Sequence, residues 1–375
     1  MFLGIVRTAC NGRPPVRFPA GCGRTFAGIE GGKQMVIRTI RIAAAAVLGL
    51  GLLAGPAQSK TVTLKFAHWV PPVHPLHKAF VAWGTSITEK SGGSIKFQYF
   101  PASQLGKASD HYDMAKTGIA DAVWINPGFN PGRWPVTSLP EQPLMLKEPL
   151  GASRALTAWY AEFADREMTD AKNCLMHTMV PLTIFSTRKA IKTPADLKGV
   201  KMRPSNATQA RIFKQAGAVT VFSPFPKIRD TFERGIATAS TGVHGALIAF
   251  GGHKATKYIM DVPLFGAVWN IVLNKAAYTK LDAKQKTVVD AHCSPEWAVR
   301  IADPVAQSDW AGEKKLRAMG KTFVPISDAD KAAWRKFSAP ALDAWKKDVA
   351  KRGFDPEAVY KSLIDKLRTE KALVE

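Results

Sequence analysis

The sequence predicts an α/β protein. Short segments with alternating apolar residues are interleaved with amphipathic segments of helical spacing from Lys60 onward, and a second run of the same kind begins near Pro181. This strand–helix–strand succession is typical of βαβ units. With 46% hydrophobic and 22% charged residues, the 375-residue chain has the composition of a globular protein, which excludes a disordered tail protein and a collagen-like repeat.

The first run is predicted from periodicity. Residues 62–66 alternate at period two, and residues 76–90 show helical spacing. In chain order we predict a strand at 62–66, a helix at 76–90, a strand at 95–99, a helix around 112–116 that ends at Gly118, and a strand at 119–125. The proline-rich segment 126–150 predicts a long ordered loop that rims a site.

The second run includes a compact helix start. Thr193 suits the N-cap, Pro194 the first helical position, and Asp196 brings negative charge to the positive end of the helix dipole. The other predicted elements are strands at 183–186, 200–203, 218–222 and 268–273, helices at 205–216 and 226–235, and an almost wholly helical part from Asp282 anchored by Trp297, Trp310, Trp334 and Trp345. We interpret strand 268–273 as a return to the first domain.

A secretory signal peptide is predicted at residues 35–59. Arg38 and Arg41 precede twelve apolar residues and then a small-residue segment that suits cleavage. Twelve apolar residues are too few to span a bilayer, which needs about 20. We therefore expect a periplasmic protein.

The ends of this signal define the mature chain. Cleavage near Ala57 or Ser59 gives a chain that begins at about Gln58 to Lys60. We interpret residues 1–34, which lack periodicity, as a disordered segment or an over-extended reading of the gene before a true start at Met35.

The formal charge of +22 does not indicate a nucleic-acid partner. Residues 1–59 hold seven basic residues and one acid, so the rest of the chain has 45 basic and 29 acidic residues, or +16. Within 313–375 acids recur at regular intervals among the basic residues, as in solvated helix faces, and the aromatic interleaving typical of single-strand-binding proteins is absent. We expect no nucleic-acid partner.

Cys174 and Cys293 are the cysteines that follow the signal peptide. In an oxidising compartment they are able to pair, and the loop-entropy model gives such a bridge about 4–5 kcal/mol. Two separate buried thiols are the alternative. The sequence leaves both open.

Motifs of enzymes are absent from the sequence. It contains no Gly-x-Ser-x-Gly elbow, His-Glu-x-x-His, P-loop, Rossmann glycine motif or Cys-x-x-Cys. We therefore expect no catalytic residues and no cofactor. The densest polar segment holds His68, His74 and His77, which could ligate zinc, but no Asp, Glu or Cys lies within it to complete the ligand set. We favour a strand-to-helix loop whose histidines contact a ligand or cap the helix, and we expect no metal.

Arg203 is the strongest candidate for a ligand contact. It ends a predicted strand just before a helix, and ligands of open α/β sheets bind at this edge. Its planar guanidinium matches a carboxylate, although a surface salt bridge is the more common role of an arginine. Trp124, Asn126 and Trp269 also fall at strand ends and either line a cleft or belong to the core.

Several motifs resemble the solute-binding (DctP-like) subunits of tripartite ATP-independent periplasmic (TRAP) transporters. The resemblance covers most of 61–290 and rests on FAHWVPPVHPLHKAF, SGGSIKFQYFPASQLG, TGIADAV, KAIKTPADLKGVKMRP and QAGAVTVFSPFPKIRDTFERG. The family resemblance implies a two-lobed periplasmic binding protein fold with a hinge, central mixed sheets flanked by helices and a long helical C-terminal part. It also implies that Arg203 pairs with the carboxylate of the ligand.

The resemblance further implies a domain division and partners. Lobe I comprises 60–180 plus 268–308, and lobe II comprises 181–267 plus 309–375 with the C-terminal helices. A small organic acid binds between the lobes, hinge closure buries it, and the protein delivers it to the membrane permease subunits. We expect a monomer.

The sequence departs from the family pattern at three places. Thr238 and Ala239 stand where relatives usually have Asp-Gly, and Gly242 stands where many have Asn. Thr183 stands where some relatives have a second arginine. His244 is able to supply the polar group that is lost at Gly242. These departures argue against carrying over the well-known dicarboxylate and sialic-acid specificities of the family.

Two other functions fit the same scaffold. A periplasmic enzyme would use His68, His74 or His244 as an acid–base group, and a sensory receptor would present the ligand to a signalling partner. The aromatic residues Trp69, Trp124, Phe225 and Trp269 permit an apolar or aromatic acid as ligand, and core packing explains them equally well.

Overall fold

The computed structural model describes residues 60–374. The predicted signal peptide at 35–59 and the interpretation of residues 1–34 lie outside the described residues. Within 60–374 the chain forms two mixed β-sheets flanked by helices, which confirms the predicted α/β class. No helix in this part of the chain is long and apolar enough to span a bilayer.

The first sheet has five strands in the order β2–β1–β3–β10–β4. They are β1 (Val62–Ala67), β2 (Ile95–Phe100), β3 (Ala122–Ile125), β4 (Ala171–Thr178) and β10 (Val268–Asn274). Strand β1 is parallel to β2 and β3, whereas β10 is antiparallel to both of its neighbours. The prediction that 268–273 returns to the first sheet is therefore confirmed.

The second sheet has six strands in the order β11–β9–β5–β8–β6–β7. They are β5 (Thr183–Ser186), β6 (Lys201–Arg203), β7 (Val219–Thr220), β8 (Ala239–Gly242), β9 (Tyr258–Met260) and β11 (Thr322–Val324). Strand β5 is antiparallel to β8 and β9, and β6 is parallel to β7 and β8. The chain thus passes from one sheet to the other after β4, after β9 and again before β11.

Helices cover both sheets and make up most of the C-terminal part. They are α1 (Pro75–Lys90), α2 (His111–Thr117), α3 (Pro149–Tyr160), α4 (Ala164–Glu167), α5 (Ala207–Gln215), α6 (Ile228–Glu233), α7 (His244–Ala249), α8 (Lys275–Thr279), α9 (Ala283–His292), α10 (Pro295–Ala318), α11 (Asp328–Lys351) and α12 (Pro356–Thr369). Helix α2 ends at Gly118, whose φ of 77° is the left-handed conformation that glycine adopts without strain. Thr193 is the N-cap, as predicted, of a short 3₁₀ segment, Pro194–Leu197, and the carboxylate of Asp196 accepts the backbone N–H of Thr193 at 2.8 Å.

Helix α11 contacts parts of the chain that adjoin both sheets. The indole nitrogen of Trp334 donates to the carbonyl of Lys192 at 2.7 Å, and that of Trp345 donates to the carbonyl of Pro135 at 2.9 Å. Both side chains are buried, as predicted for anchors. Trp310 is different: it is 42% exposed on α10, so its prediction as an anchor is wrong. The assignment of residues to two lobes stays a prediction.

A disulfide joins Cys174 on β4 to Cys293, which follows α9. The structure therefore favours the paired alternative over two separate thiols. Ser294, the next residue, caps α10 through its side chain, so the bridge lies where two helices meet the first sheet.

Candidate functional site

A cavity of about 120 Å³ lies where the carboxyl ends of strands from both sheets converge. Trp69 follows β1, Asn126 follows β3, Arg203 ends β6 and Val243 follows β8, and all four line the cavity. The carboxyl edge is the usual ligand-binding edge of such sheets, because the loops that follow the strands meet there. Of the sequence-predicted site residues, Arg203, Trp69, Asn126, Phe225 and Trp269 line this cavity.

The guanidinium of Arg203 is held in place by neutral acceptors. Its Nε donates to the carbonyl of Ser223 at 2.8 Å, and its Nη1 donates to the hydroxyl of Ser205 at 3.0 Å and the carbonyl of Thr241 at 3.4 Å. Nη2 makes no hydrogen bond within residues 60–374. The guanidinium carbon lies 5.1 Å from the ring centre of Phe225, a distance at which the ring face attracts a cation.

Arg203 is a buried cation without a carboxylate partner among the described residues. Its side chain is 7% exposed, and burial lowers the pKa of the guanidinium to about 10. Taking a charge out of water costs several kcal/mol unless an opposite charge compensates it. Of the described residues that line the cavity, Arg203 is the one lysine or arginine. The guanidinium therefore carries an uncompensated positive charge, which one anionic group of a ligand would neutralise.

Aromatic side chains form much of the remaining wall. They are Trp69, Phe129, Phe225, Phe250 and Trp269. The indole N–H groups of Trp69 and Trp269 are buried and have no hydrogen-bond partner within residues 60–374. A flat apolar group is the shape that such a wall accommodates best.

Trp124 lies behind this wall and does not line the cavity. It is fully buried, stacks on Trp69 with ring centres 4.6 Å apart, and donates its indole N–H to Nε2 of His177 at 2.9 Å. Trp269 stacks on it from another side, with ring centres 6.0 Å apart. Trp124 therefore positions the two tryptophans that do face the cavity.

The absence of a side chain at Gly242 makes room for an aromatic ring. A Cβ atom at this position would lie 2.4 Å from Cε2 and 2.6 Å from Cζ of Phe225. An asparagine, which many relatives have at this position, would require that ring to move. The departure at Gly242 thus exchanges a polar side chain for an apolar one. Thr183, where some relatives have a second arginine, is buried and donates to the carbonyl of Met260 at 2.6 Å.

The histidines of the first loop have structural partners. His74 lines the cavity and caps α1, accepting the amide N–H of Leu76 at 3.2 Å, which confirms the predicted helix cap. His68 is fully buried outside the cavity, and its Nε2 lies 3.0 Å from Nδ1 of His77. Burial lowers the pKa of His68 to about 3 and that of His74 to about 4, so both rings are neutral at pH 7. Within residues 60–374, no three His, Cys, Asp or Glu side chains are grouped so as to hold a metal ion.

His244 also lies behind the wall, where it contacts a buried acid. Its Nδ1 is 3.3 Å from Oδ2 of Asp309, whose Oδ1 accepts the amide N–H of Gly245 at 2.7 Å. Asp309 lines the cavity although its side chain is only 2% exposed. Helix α7 approaches α10 very closely here, since a Cβ at Gly312 would lie 2.7 Å from the backbone nitrogen of Gly245.

Sequence reasoning missed several cavity residues. They are Phe129, Met179, Leu182, Phe250, Val305, Ser308 and Asp309, among others. The signal for the three on α10 is their spacing: Val305, Ser308 and Asp309 are at i, i+3 and i+4 and share one helix face. That signal identifies a face but not what the face contacts.

A second, smaller pocket is lined by residues that directly follow Asn126 in the chain, and it contains a buried carboxyl group. Glu141 is 1% exposed, and its Oε2 accepts the hydroxyl of Thr208 at 2.6 Å. Its Oε1 has no hydrogen-bond partner within residues 60–374. Burial raises the pKa of Glu141 to about 8, so the group is protonated at neutral pH.

This raised pKa makes stability depend on pH. Between the ordinary pKa of glutamate and about pH 8, the folded state retains a proton on Glu141 that the unfolded state releases. The stabilisation that this proton gives the folded state is therefore fully present at acidic pH and is lost as pH rises toward 8. One such proton changes the free energy of unfolding by at most about 1.4 kcal/mol per pH unit. We expect Glu141→Gln, which keeps an acceptor for Thr208, to remove this slope. Urea denaturation of the wild type and of Glu141→Gln at pH 5, 6.5 and 8 measures this slope. If the free energy of unfolding depends on pH equally in the two proteins, the protonated state of Glu141 is contradicted.

A comparison with known proteins finds a family whose sequence pattern this chain matches. The pattern that defines the "Bacterial extracellular solute-binding protein, family 7" (DctP) matches residues 66–348. A solute-binding protein of Verminephrobacter eiseniae is 23% identical over 292 residues, which is 74% of this chain and 83% of that protein.

Two solved structures share the fold. One is a TRAP solute-binding protein from Rhodoferax ferrireducens T118 in complex with copurified benzoate, with a TM-score of 0.76 and 27% identity over 83% of this chain and 99% of that chain. The other, from an unidentified microbe of a marine metagenome, is specific for aromatic acid ligands and holds 3-hydroxybenzoate. It has a TM-score of 0.76 and 26% identity over 83% of this chain and 99% of that chain.

Proposed function

The chain belongs to family 7 of the bacterial extracellular solute-binding proteins, the DctP family, and we propose that its ligand is the anion of a small aromatic monocarboxylic acid. The family comprises solute receptors and not enzymes. The alternative in which His68, His74 or His244 acts as an acid–base catalyst is therefore wrong.

One observation carries the proposal: among residues 60–374, Arg203 is the single lysine or arginine that lines the cavity, and the wall is otherwise largely apolar. A ligand carboxylate at Nη2 would complete the hydrogen bonding of the guanidinium and compensate its charge. Because charge-assisted hydrogen bonds are stronger in a dry site than in water, an anion gains more from this contact than a neutral isostere does. With a threonine in place of a second arginine, the part of the cavity wall that residues 60–374 form offers one cation for one carboxylate.

Several features support an aromatic ring on this acid. The ring of Phe225 fills the space beside Gly242, and Trp69 and Trp269 present stacked indoles to the same cavity. A volume of about 120 Å³ suits a single ring. The two relatives with bound benzoate and 3-hydroxybenzoate are consistent with this ligand class.

The cellular role follows from the family. We infer a periplasmic receptor that binds its acid between two lobes, 60–180 plus 268–308 and 181–267 plus 309–375, closes by a hinge, and delivers the acid to TRAP permease subunits. Closure requires only that the ligand bind the closed state more tightly than the open one. A sensory receptor would differ in its partner and not in its site.

The proposal predicts a defined order of affinities. We expect saturating benzoate to raise the free energy of unfolding by about 2.7 kcal/mol at a hundredfold excess over Kd. Benzamide removes the charge at constant shape, and cyclohexanecarboxylate removes the aromaticity. Both should bind more weakly than benzoate, and succinate more weakly still. A thermal-shift screen followed by calorimetry measures the order.

The panel also separates the parts of the proposal. Binding of benzamide as tight as that of benzoate would contradict the role of the anion. Binding of succinate tighter than that of benzoate would contradict the aromatic monocarboxylate and leave the receptor assignment intact.

A further inference from the structure

The ligand cavity contains a second charged residue that the role of Arg203 does not use. Asp309 lies on α10, lines the cavity, and is almost fully buried. Val305, Ser308 and Asp309 form the part of α10 that faces the cavity. Arg203 and Asp309 therefore line one small space from different elements, and no ion pair joins them within residues 60–374.

Asp309 is fixed in position but has acceptor capacity left. A carboxylate offers about four lone-pair sites. One is occupied by the amide N–H of Gly245 at 2.7 Å and another faces Nδ1 of His244 at 3.3 Å. The close packing of α7 on α10 at Gly312 restrains the backbone on both sides of this contact.

This arrangement has two consequences for a ligand that is bound through its carboxylate at Arg203. A hydroxyl group on the ring that points toward α10 would find an acceptor in Asp309, and a charge-assisted hydrogen bond of this kind is worth about tenfold in affinity or more. A second carboxylate would instead approach the carboxylate of Asp309, which is almost fully buried, and like charges repel strongly where little water screens them.

We propose that Asp309 determines the specificity of the site, accepting a hydrogen bond from a hydroxyl group on the ring of the ligand and rejecting a second carboxylate. The ligand class is then a hydroxylated aromatic monocarboxylate. This inference rests on the proposed function, because it takes the ligand carboxylate to lie at Arg203.

The test uses matched ligands on the full chain. We would measure dissociation constants by calorimetry for benzoate, 3- and 4-hydroxybenzoate, isophthalate and terephthalate. For the wild-type protein we expect one hydroxybenzoate to bind about tenfold more tightly than benzoate, and the corresponding dicarboxylate to bind at least tenfold more weakly. Wild-type binding of a dicarboxylate as tight as that of benzoate would overturn the proposal without any variant.

Asp309→Asn removes the charge and keeps an acceptor for Gly245. Within this variant, we expect the dissociation constant of the dicarboxylate relative to that of benzoate to fall about tenfold. Asp309→Ala should abolish the preference for the hydroxyl group. Asp303→Asn, on the same helix at a half-buried position outside the cavity where Asp303 accepts a hydrogen bond from Gln307, is the matched control and should leave both ratios unchanged.

The outcomes are distinguishable. If the dissociation constants of the other acids relative to that of benzoate are the same in Asp309→Asn as in the wild type, the role of Asp309 is overturned. Binding of benzoate itself would still support the proposed function. If the wild-type protein binds none of the five acids, the proposed function fails and the role of Asp309 fails with it.

Discussion

Replacing Arg203 by alanine is expected to weaken binding of the ligand anion by about 3–5 kcal/mol, which is two to four orders of magnitude in Kd. The loss is large because the ligand carboxylate would remain buried without a cation, in a cavity where no other lysine or arginine among residues 60–374 faces it. Calorimetry with benzoate measures the effect. Affinity within a factor of about three of the wild type would contradict the role of Arg203.

Two further variants separate charge from geometry and from general effects on the surface. Arg203→Lys keeps a positive charge but lacks the planar fork that donates to Ser223, Ser205 and Thr241, so we expect it to recover only part of the affinity. Arg211→Ala removes an arginine that is 56% exposed on α5, close in sequence but outside the cavity. That control should bind as the wild type does.

The elements with regular periodicity could be predicted from the sequence. Strands β1 and β2 and helix α1 follow their predicted bounds closely, because alternation and helical spacing reflect which face of each element is buried. The strands β4, β8, β9 and β11 were not predicted. Strand β4 has eight residues, but its last five are all buried, so it shows no alternation. The other three strands have three or four residues, too few to show a period, and β8 reads Ala-Ser-Thr-Gly. Their pairing partners lie far away along the chain, so tertiary contacts decide them.

The site could be predicted only where local sequence carries a signal. Arg203 stands out because a strand ends there and a helix follows. Asp309 does not, since an acid within a long charged helix is usually solvated and its burial depends on α7, more than 60 residues earlier. Trp124 and Trp69 illustrate the same limit, because both lie near the end of a strand. Trp69 faces the cavity, whereas Trp124 stacks on it from behind.

The disulfide closes a loop of 119 residues that contains the whole of the second sheet except β11. Cys174 lies on β4 at the edge of the first sheet, and Cys293 lies between α9 and α10. In the loop-entropy model the bridge acts on the unfolded chain, whose ends it ties together, more than on the contacts of the folded one. The native packing around β4 therefore survives its removal, but with a smaller margin against unfolding.

We expect Cys174→Ala/Cys293→Ala to lower the free energy of unfolding by about 4–5 kcal/mol, measured by denaturant titration. Dithiothreitol should destabilise the wild-type protein to a similar extent and leave the variant unchanged, since the variant has no bridge to reduce. Affinity for benzoate should stay at the wild-type value in the folded variant, because neither cysteine lines the cavity. A thiol count on the unfolded wild-type protein, with and without dithiothreitol, distinguishes the two states. If reduction does not increase the number of titratable thiols, or if the variant is as stable as the wild type, the two sulfurs are separate thiols. The alternative that the sequence left open would then be the correct one.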